Sequence, residues 1–211
     1  MSALIFYLDE DQVFVATDTL AVNIDGSAHS YCSKAIHIPH LRTIIAGTGL
    51  GSFAVDWAMF ANSSMLVRGI EHLDFHTPDK LRERWDISKT EHSLPSELTT
   101  TVYQFGLSED TGRTCGYAYR SSNNFISEQL EYGYGRKPEC KFLDGENFIE
   151  NITLMMKEQR TIQETKGQNE RLYIGGECYG VHLTKDRCET FRVFQFDDWK
   201  QQQDEMFENF E

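Results

Sequence analysis

Short apolar runs broken by polar residues open the chain, and they predict three strands. Ala3 to Leu8 is apolar apart from Tyr7. Gln12 to Leu20 carries Val13 and Val15 and then runs into Thr17, Asp18 and Thr19. Tyr31 to Ile38 encloses Ser33 and Lys34 between Cys32 and Ile36. Strands this short with brief turns pair side by side. Leu41 to Ala46 predicts another strand, running into Gly47-Thr48-Gly49-Leu50-Gly51. Beyond it Phe53, Trp57, Phe60, Ala61 and Met65 recur at helical spacing to about Val67. Thr77-Pro78-Asp79 predicts a second helix, with Thr77 as cap and Pro78 in the first position, through Leu81 to about Trp85. Residues 86 to 99 read as a loop.

Strands are next expected near Thr101 to Leu107 and Thr114 to Arg120, joined by a turn at Ser108 to Arg113. Phe125 to Leu130 reads as extended into a turn at Gly133-Tyr134-Gly135. Asp144-Gly145-Glu146 opens a long helix whose Phe148, Ile152, Met155, Met156 and Ile162 face a core and which Lys166 to Asn169 ends. Arg171 to Ile174, Tyr179 to Leu183 and Phe191 to Phe196 read as short strands, with a turn at Lys185-Asp186. That order predicts an α+β protein in which helix pairs cover an antiparallel two-sheet core.

An Asp and a Lys inside strands are costly to bury unless they face each other or a third polar group. Asp18 and Lys34 lie 16 residues apart, and Ser2 lies 16 residues before Asp18. Removal of Met1 would give Ser2 a free α-amine. With a pKa near ~8, that amine is a usable base for the weakly nucleophilic hydroxyl. A lysine beside the hydroxyl favours its ionised form, and the aspartate holds the lysine. Ser2, Asp18 and Lys34 are thus candidate catalytic residues.

The pattern Ala16-Thr17-Asp18, Ser33-Lys34 and Ile44-Ile45-Ala46-Gly47-Thr48-Gly49-Leu50-Gly51 resembles the proteasome β-subunit group of N-terminal nucleophile hydrolases, including HslV. The resemblance covers roughly residues 2 to 60 and implies an amide or peptide hydrolase acting through Ser2, Asp18 and Lys34; a catalytically silent protein of the same fold, serving as an assembly or binding module, is the alternative. It implies a four-layer αββα sandwich, Ser2 at the nucleophile position where the family usually has Thr, and a backbone N–H of Gly47 in the oxyanion hole. It also implies Ala21, Cys32 and Leu50 beside the nucleophile as a substrate pocket for medium apolar groups. The family has an Asp and a Ser before a Gly-Gly pair and a Ser in a small-residue turn. The nearest matches here are Ile174-Gly175-Gly176, with Arg171 in place of the Asp, and Gly133-Tyr134-Gly135. No cofactor and no metal are implied. The expected partners are a peptide or small amide substrate and further copies of the chain in a ring.

Composition narrows the remaining classes. The 211 residues are 40% hydrophobic, which fits one globular domain over 1–211, with 197–211 an acidic amphipathic tail bearing Trp199, Met206, Phe207 and Phe210. A net charge of −13 argues against nucleic acid, since phosphate binding draws on surplus Lys and Arg. No apolar run spans a membrane, and Asp9, Glu10 and Asp11 replace the basic start of a signal peptide, so a cytoplasmic location is expected. Five cysteines without a C-x-x-C pair fit neither a disulfide scaffold nor structural zinc. His37 and His40 flank Pro39 off ligand spacing, and His72 and His76 are expected to face solvent at a helix boundary. The glycine segment is G-x-G-x-G rather than G-x-G-x-x-G, which argues against a dinucleotide site. Trp57, Phe60, Trp85, Trp199, Phe207 and Phe210 exceed what one small core requires, and with them a homo-oligomer of six or more copies is expected.

Overall fold

In the computed structural model, residues 3–23, 25–142, 145–168 and 170–208 are described. Along the chain run β1 (Leu4–Leu8), β2 (Gln12–Asp18), β3 (Leu20–Val22), β4 (Ala28–Tyr31), β5 (Ala35–Ile38) and β6 (Thr43–Thr48). Helices α1 (Phe53–Ser64) and α2 (Ile70–Glu91) follow, then β7 (Thr101–Leu107), β8 (Thr114–Arg120), β9 (Ser127–Gln129) and β10 (Gly133–Lys137). Helix α3 (Phe148–Glu164), strands β11 (Glu177–Thr184) and β12 (Cys188–Gln195), and helix α4 (Trp199–Glu208) complete the order. Among the described residues, one five-stranded sheet has the order β10-β1-β2-β11-β12, a second β5-β6-β7-β8-β9, and β3-β4 form a hairpin. All the strand pairs are antiparallel.

Side-chain alternation sorts the apolar residues into separate buried clusters. Leu4, Phe6, Leu8, Val13 and Val15 of the first sheet meet Ile44, Ala46, Tyr103 and Phe105 of the second. Ala3, Ile5, Phe14 and Ala16, on the opposite face, meet Ile152, Met155 and Met156 of α3. Trp57, Ala61, Leu73, Leu81 and Trp85 of α1 and α2 cover the far face of the second sheet. Trp57 and Trp85 therefore fill this core, and the support they lent to contacts between subunits falls away. Among the described residues no helix is long and apolar enough to cross a membrane.

Several expected boundaries differ. Lys34 lies between β4 and β5 rather than inside one strand. Thr77-Pro78 stands inside α2, which starts at Ile70 and runs through the expected loop to Glu91. The stripe Ile70, Leu73, Thr77, Leu81 and Trp85 is buried. That burial outweighs the cost of about 3 kcal/mol for an interior proline. Thr77 Oγ1 donates to the Leu73 carbonyl and accepts from Gln104 Nε2, so it caps nothing. Gly133 to Gly135 forms strand, not turn, because a Cβ at Gly135 would sit 2.1 Å from the Phe6 ring that lies across it. Arg171 to Ile174 makes no strand; Leu172 N–H goes instead to Gln163 Oε1. The expected start of α3 at Asp144 and its end at Asn169 lie outside the described residues. The observed cap is Asn147, whose side chain accepts from Glu150 N–H at 3.0 Å.

The true start of α2 is capped from a distance: Glu109, in the β7–β8 turn, accepts from Glu71 N–H at 3.0 Å and His72 N–H at 2.8 Å. Burial pushes its carboxyl up, but those two N–H groups outweigh it and hold the pKa below its ordinary 4.5. Glu109→Gln is expected to cost about 0.5–1 kcal/mol at neutral pH, because a neutral oxygen replaces a charge at a helix N-terminus. A depressed carboxyl stabilises above its unfolded pKa and loses that contribution as pH falls through the folded value. Urea unfolding of both proteins should therefore show a gap at pH 7 that closes below 4.5; a gap independent of pH would assign the loss to packing.

Candidate functional site

Strand β2 ends on Asp18, whose side chain is fully buried. Its Oδ1 accepts from Ala3 N–H at 2.9 Å. Its Oδ2 accepts from Lys34 Nζ at 2.9 Å and Gly175 N–H at 3.3 Å. Lys34, 5% exposed, also donates to the Leu20 carbonyl at 2.7 Å. A buried carboxylate so supplied with donors can remain charged, and the ammonium keeps a third N–H for the adjoining space.

That space is a cleft of about 350 Å³ bounded by Thr17, Thr19, Cys32, Ser33, Lys34 and Tyr179, among others. Cys32 faces it; Ala21 and Leu50 do not belong to its lining. Leu50 packs instead against the helix-covered core, and Ala21 pairs with Ser30 in the hairpin. Gly47 sits in β6, where the pairing of Ala35 with Ala46 carries Lys34, just before β5, to its level. Ser2 lies outside the described residues, as does Phe210 of the tail.

The expected outer shell is replaced by backbone. The Gly175-Gly176 pair places one N–H on Asp18, while Gly176, at φ 76, has room for no side chain: a Cβ would lie 2.4 Å from Thr19 Oγ1. Arg171 stays away, 3.7 Å from Glu164 and over the Tyr173 ring. Helix α4 braces this turn, since Gln202 accepts from Gly176 N–H at 3.1 Å and Tyr31 OH donates to the Trp199 carbonyl at 2.9 Å. Met206 buries against Leu20 and Ala28, so the acidic tail docks on its own chain, leaving Phe207 exposed. Arg160 clamps the same region to α3 through both oxygens of Asp198, at 2.8 and 2.6 Å.

Two further groups escaped the sequence reading. Lys137 is paired with Leu4 in register and donates to Thr101 Oγ1 at 2.7 Å; burial, then Arg120, hold its pKa down. Nothing in its sequence context marks it. Cys178, beside Asp18 in the β2–β11 pairing, has its thiol pushed well up, by burial first and the Asp18 charge second, and is no thiolate. His72 and His76, expected at a helix boundary, stand on successive turns of α2 with their Nε2 atoms 3.3 Å apart. Among the described residues no group of three or more His, Cys, Asp or Glu could hold a metal ion.

No family model matches this chain, and no curated protein matches it. Among solved structures it is similar to "Anbu (ancestral beta-subunit) from Yersinia bercovieri", with a TM-score of 0.60 over 100% of this chain and 94% of that one. The fold is proteasome-related. At 11% identity the likeness extends to fold alone. This neighbour corrects the membership of the proteasome β-subunit and HslV group that the motifs implied: at that identity the chain shares a fold with it and does not show that family.

Proposed function

We propose that this protein is an N-terminal-nucleophile amide or peptide hydrolase with an αββα layering, acting in the cytoplasm. The observation that carries the reading is the buried Asp18–Lys34 pair, 2.9 Å apart, at the edge of an open cleft. Ser2 is joined by one peptide bond to Ala3, whose N–H ends on Asp18. Freed by loss of Met1, the Ser2 amine takes the hydroxyl proton as the oxygen attacks an amide carbonyl. The Lys34 ammonium favours the ionised hydroxyl, Asp18 fixes the lysine, and Gly47 N–H receives the oxyanion. The amine then passes its proton to the leaving amine, and water hydrolyses the resulting ester.

Intact mass should show the loss of Met1, and a β-lactone should add once to the native protein. Ser2→Ala should lower that labelling on the order of 10³-fold or more without loss of fold. Cys32→Ser should leave it unchanged, which separates the hydroxyl from the exposed thiol in the same cleft. Labelling that survives in Ser2→Ala sinks the mechanism, and a folded protein that never labels would be a binding module instead.

A further inference from the structure

On the α3-facing side of the first sheet, the strand register sets aromatic side chains in a row. Tyr134 pairs with Tyr7, Tyr7 with Phe14, and Phe14 with His182, so four strands each contribute one ring to the same face. The ring centroids of Tyr7 and Tyr134 are 4.9 Å apart and those of Phe14 and His182 6.3 Å. Phe148, at the start of α3, meets Phe14 edge-on at 5.1 Å, and Phe191, on β12, lies tilted to it at 5.8 Å. Between these rings lies a cavity of about 620 Å³, within the usual size of a small-molecule site.

One edge of this cavity is polar and fixed. Asp9 Oδ2 accepts from Gln12 Nε2 at 3.1 Å, and Gln12 Oε1 lies 2.8 Å from His182 Nε2. Burial pushes the Asp9 carboxyl up, but the N–H groups of Asp11 and Gln12 outweigh it and keep it below its usual range. A carboxylate only accepts, so the Gln12 amide must turn its NH2 toward Asp9 and its oxygen toward His182. His182 Nε2 then donates to Gln12, the tautomer in which Nδ1 is the accepting nitrogen. Among the described residues the cavity lining contains no Lys or Arg to meet an anionic ligand.

We propose that this cavity binds a planar heteroaromatic small molecule that presents a ring N–H to His182 and carries no negative charge. Rings meeting at 4.9 to 5.8 Å offer both faces and edges for a flat guest. The site is separate from the Asp18–Lys34 cleft, with which it shares no lining residue. It stands or falls apart from the hydrolase reading.

Indole, 1-methylindole and indole-3-acetate serve as probes, titrated calorimetrically and by NMR. Indole is expected to bind saturably in the ~0.1–1 mM range. 1-Methylindole should bind about tenfold more weakly, having lost the hydrogen bond. His182→Phe should erase the difference between those two, whereas Ser2→Ala should leave all three unchanged. Phe191, 36% exposed, gives a variant to alanine that keeps the core while weakening every ring. No saturable binding of indole overturns the proposal. So does indole-3-acetate binding as tightly as indole, or a face closed by a second copy in light scattering.

Discussion

Lys34→Ala is expected to lose about 3–5 kcal/mol of folding stability along with all β-lactone labelling, because it leaves a charge buried without a counter-ion. Asp18 has no exposed surface and, among the described residues, would keep the N–H groups of Ala3 and Gly175. Adding Asp18→Asn should recover part of the loss, since a neutral amide can use one of those donors without an uncompensated charge. Urea unfolding of the single and double variants measures this coupling. A single variant within about 1 kcal/mol of wild type would mean that the pair is solvated in solution.

Gly47→Ala should lose about 2–3 kcal/mol by overpacking. A Cβ there would lie 2.3 Å from the Ala54 Cβ of α1 and 3.0 Å from the Thr101 carbonyl. Backbone cannot yield as a long side chain can, so α1 must lift from β6 and loosen the cluster around Trp57. The expected remedy is Ala54→Gly, which removes the facing atom at a helix cost of about 1 kcal/mol. The double variant should therefore be more stable than the sum of the two singles predicts. Equal thermal midpoints for wild type and Gly47→Ala would show that the sheet and helix adjust freely.

Strands at Thr101–Leu107 and Thr114–Arg120 were legible because buried positions fill the first and recur along the second, and turn residues lie between them. Elements failed to read where local chemistry and tertiary packing disagree. Thr77-Pro78-Asp79 has the composition of a helix start, yet Thr77 is buried against Gln104. Gly133-Tyr134-Gly135 has that of a turn, yet the glycine makes room for Phe6. At the site, Asp18 at the end of an apolar strand and Lys34 just before another could be singled out, but their other partners are the Ala3 and Gly175 N–H groups and the Leu20 carbonyl. Backbone groups have no signature in a sequence. Neither has a row of rings drawn from β10, β1, β2 and β11, in which Tyr7 and Phe14 meet Tyr134 and His182 from far along the chain only through the register.

The order β10-β1-β2-β11-β12 has a temporal meaning. Strands β1 and β2 lie inside their sheet, flanked by strands synthesised much later. Asp18 receives its Gly175 N–H, and β2 its neighbour β11, only after most of the chain has emerged. Pairings across such separations form late, since loop closure must be met before contacts reward it. A nascent chain therefore carries its charged residues for some time before the fold can bring them to bear. Synthesis of Gly175 and β11 therefore sets the time at which the surroundings of Asp18 are completed.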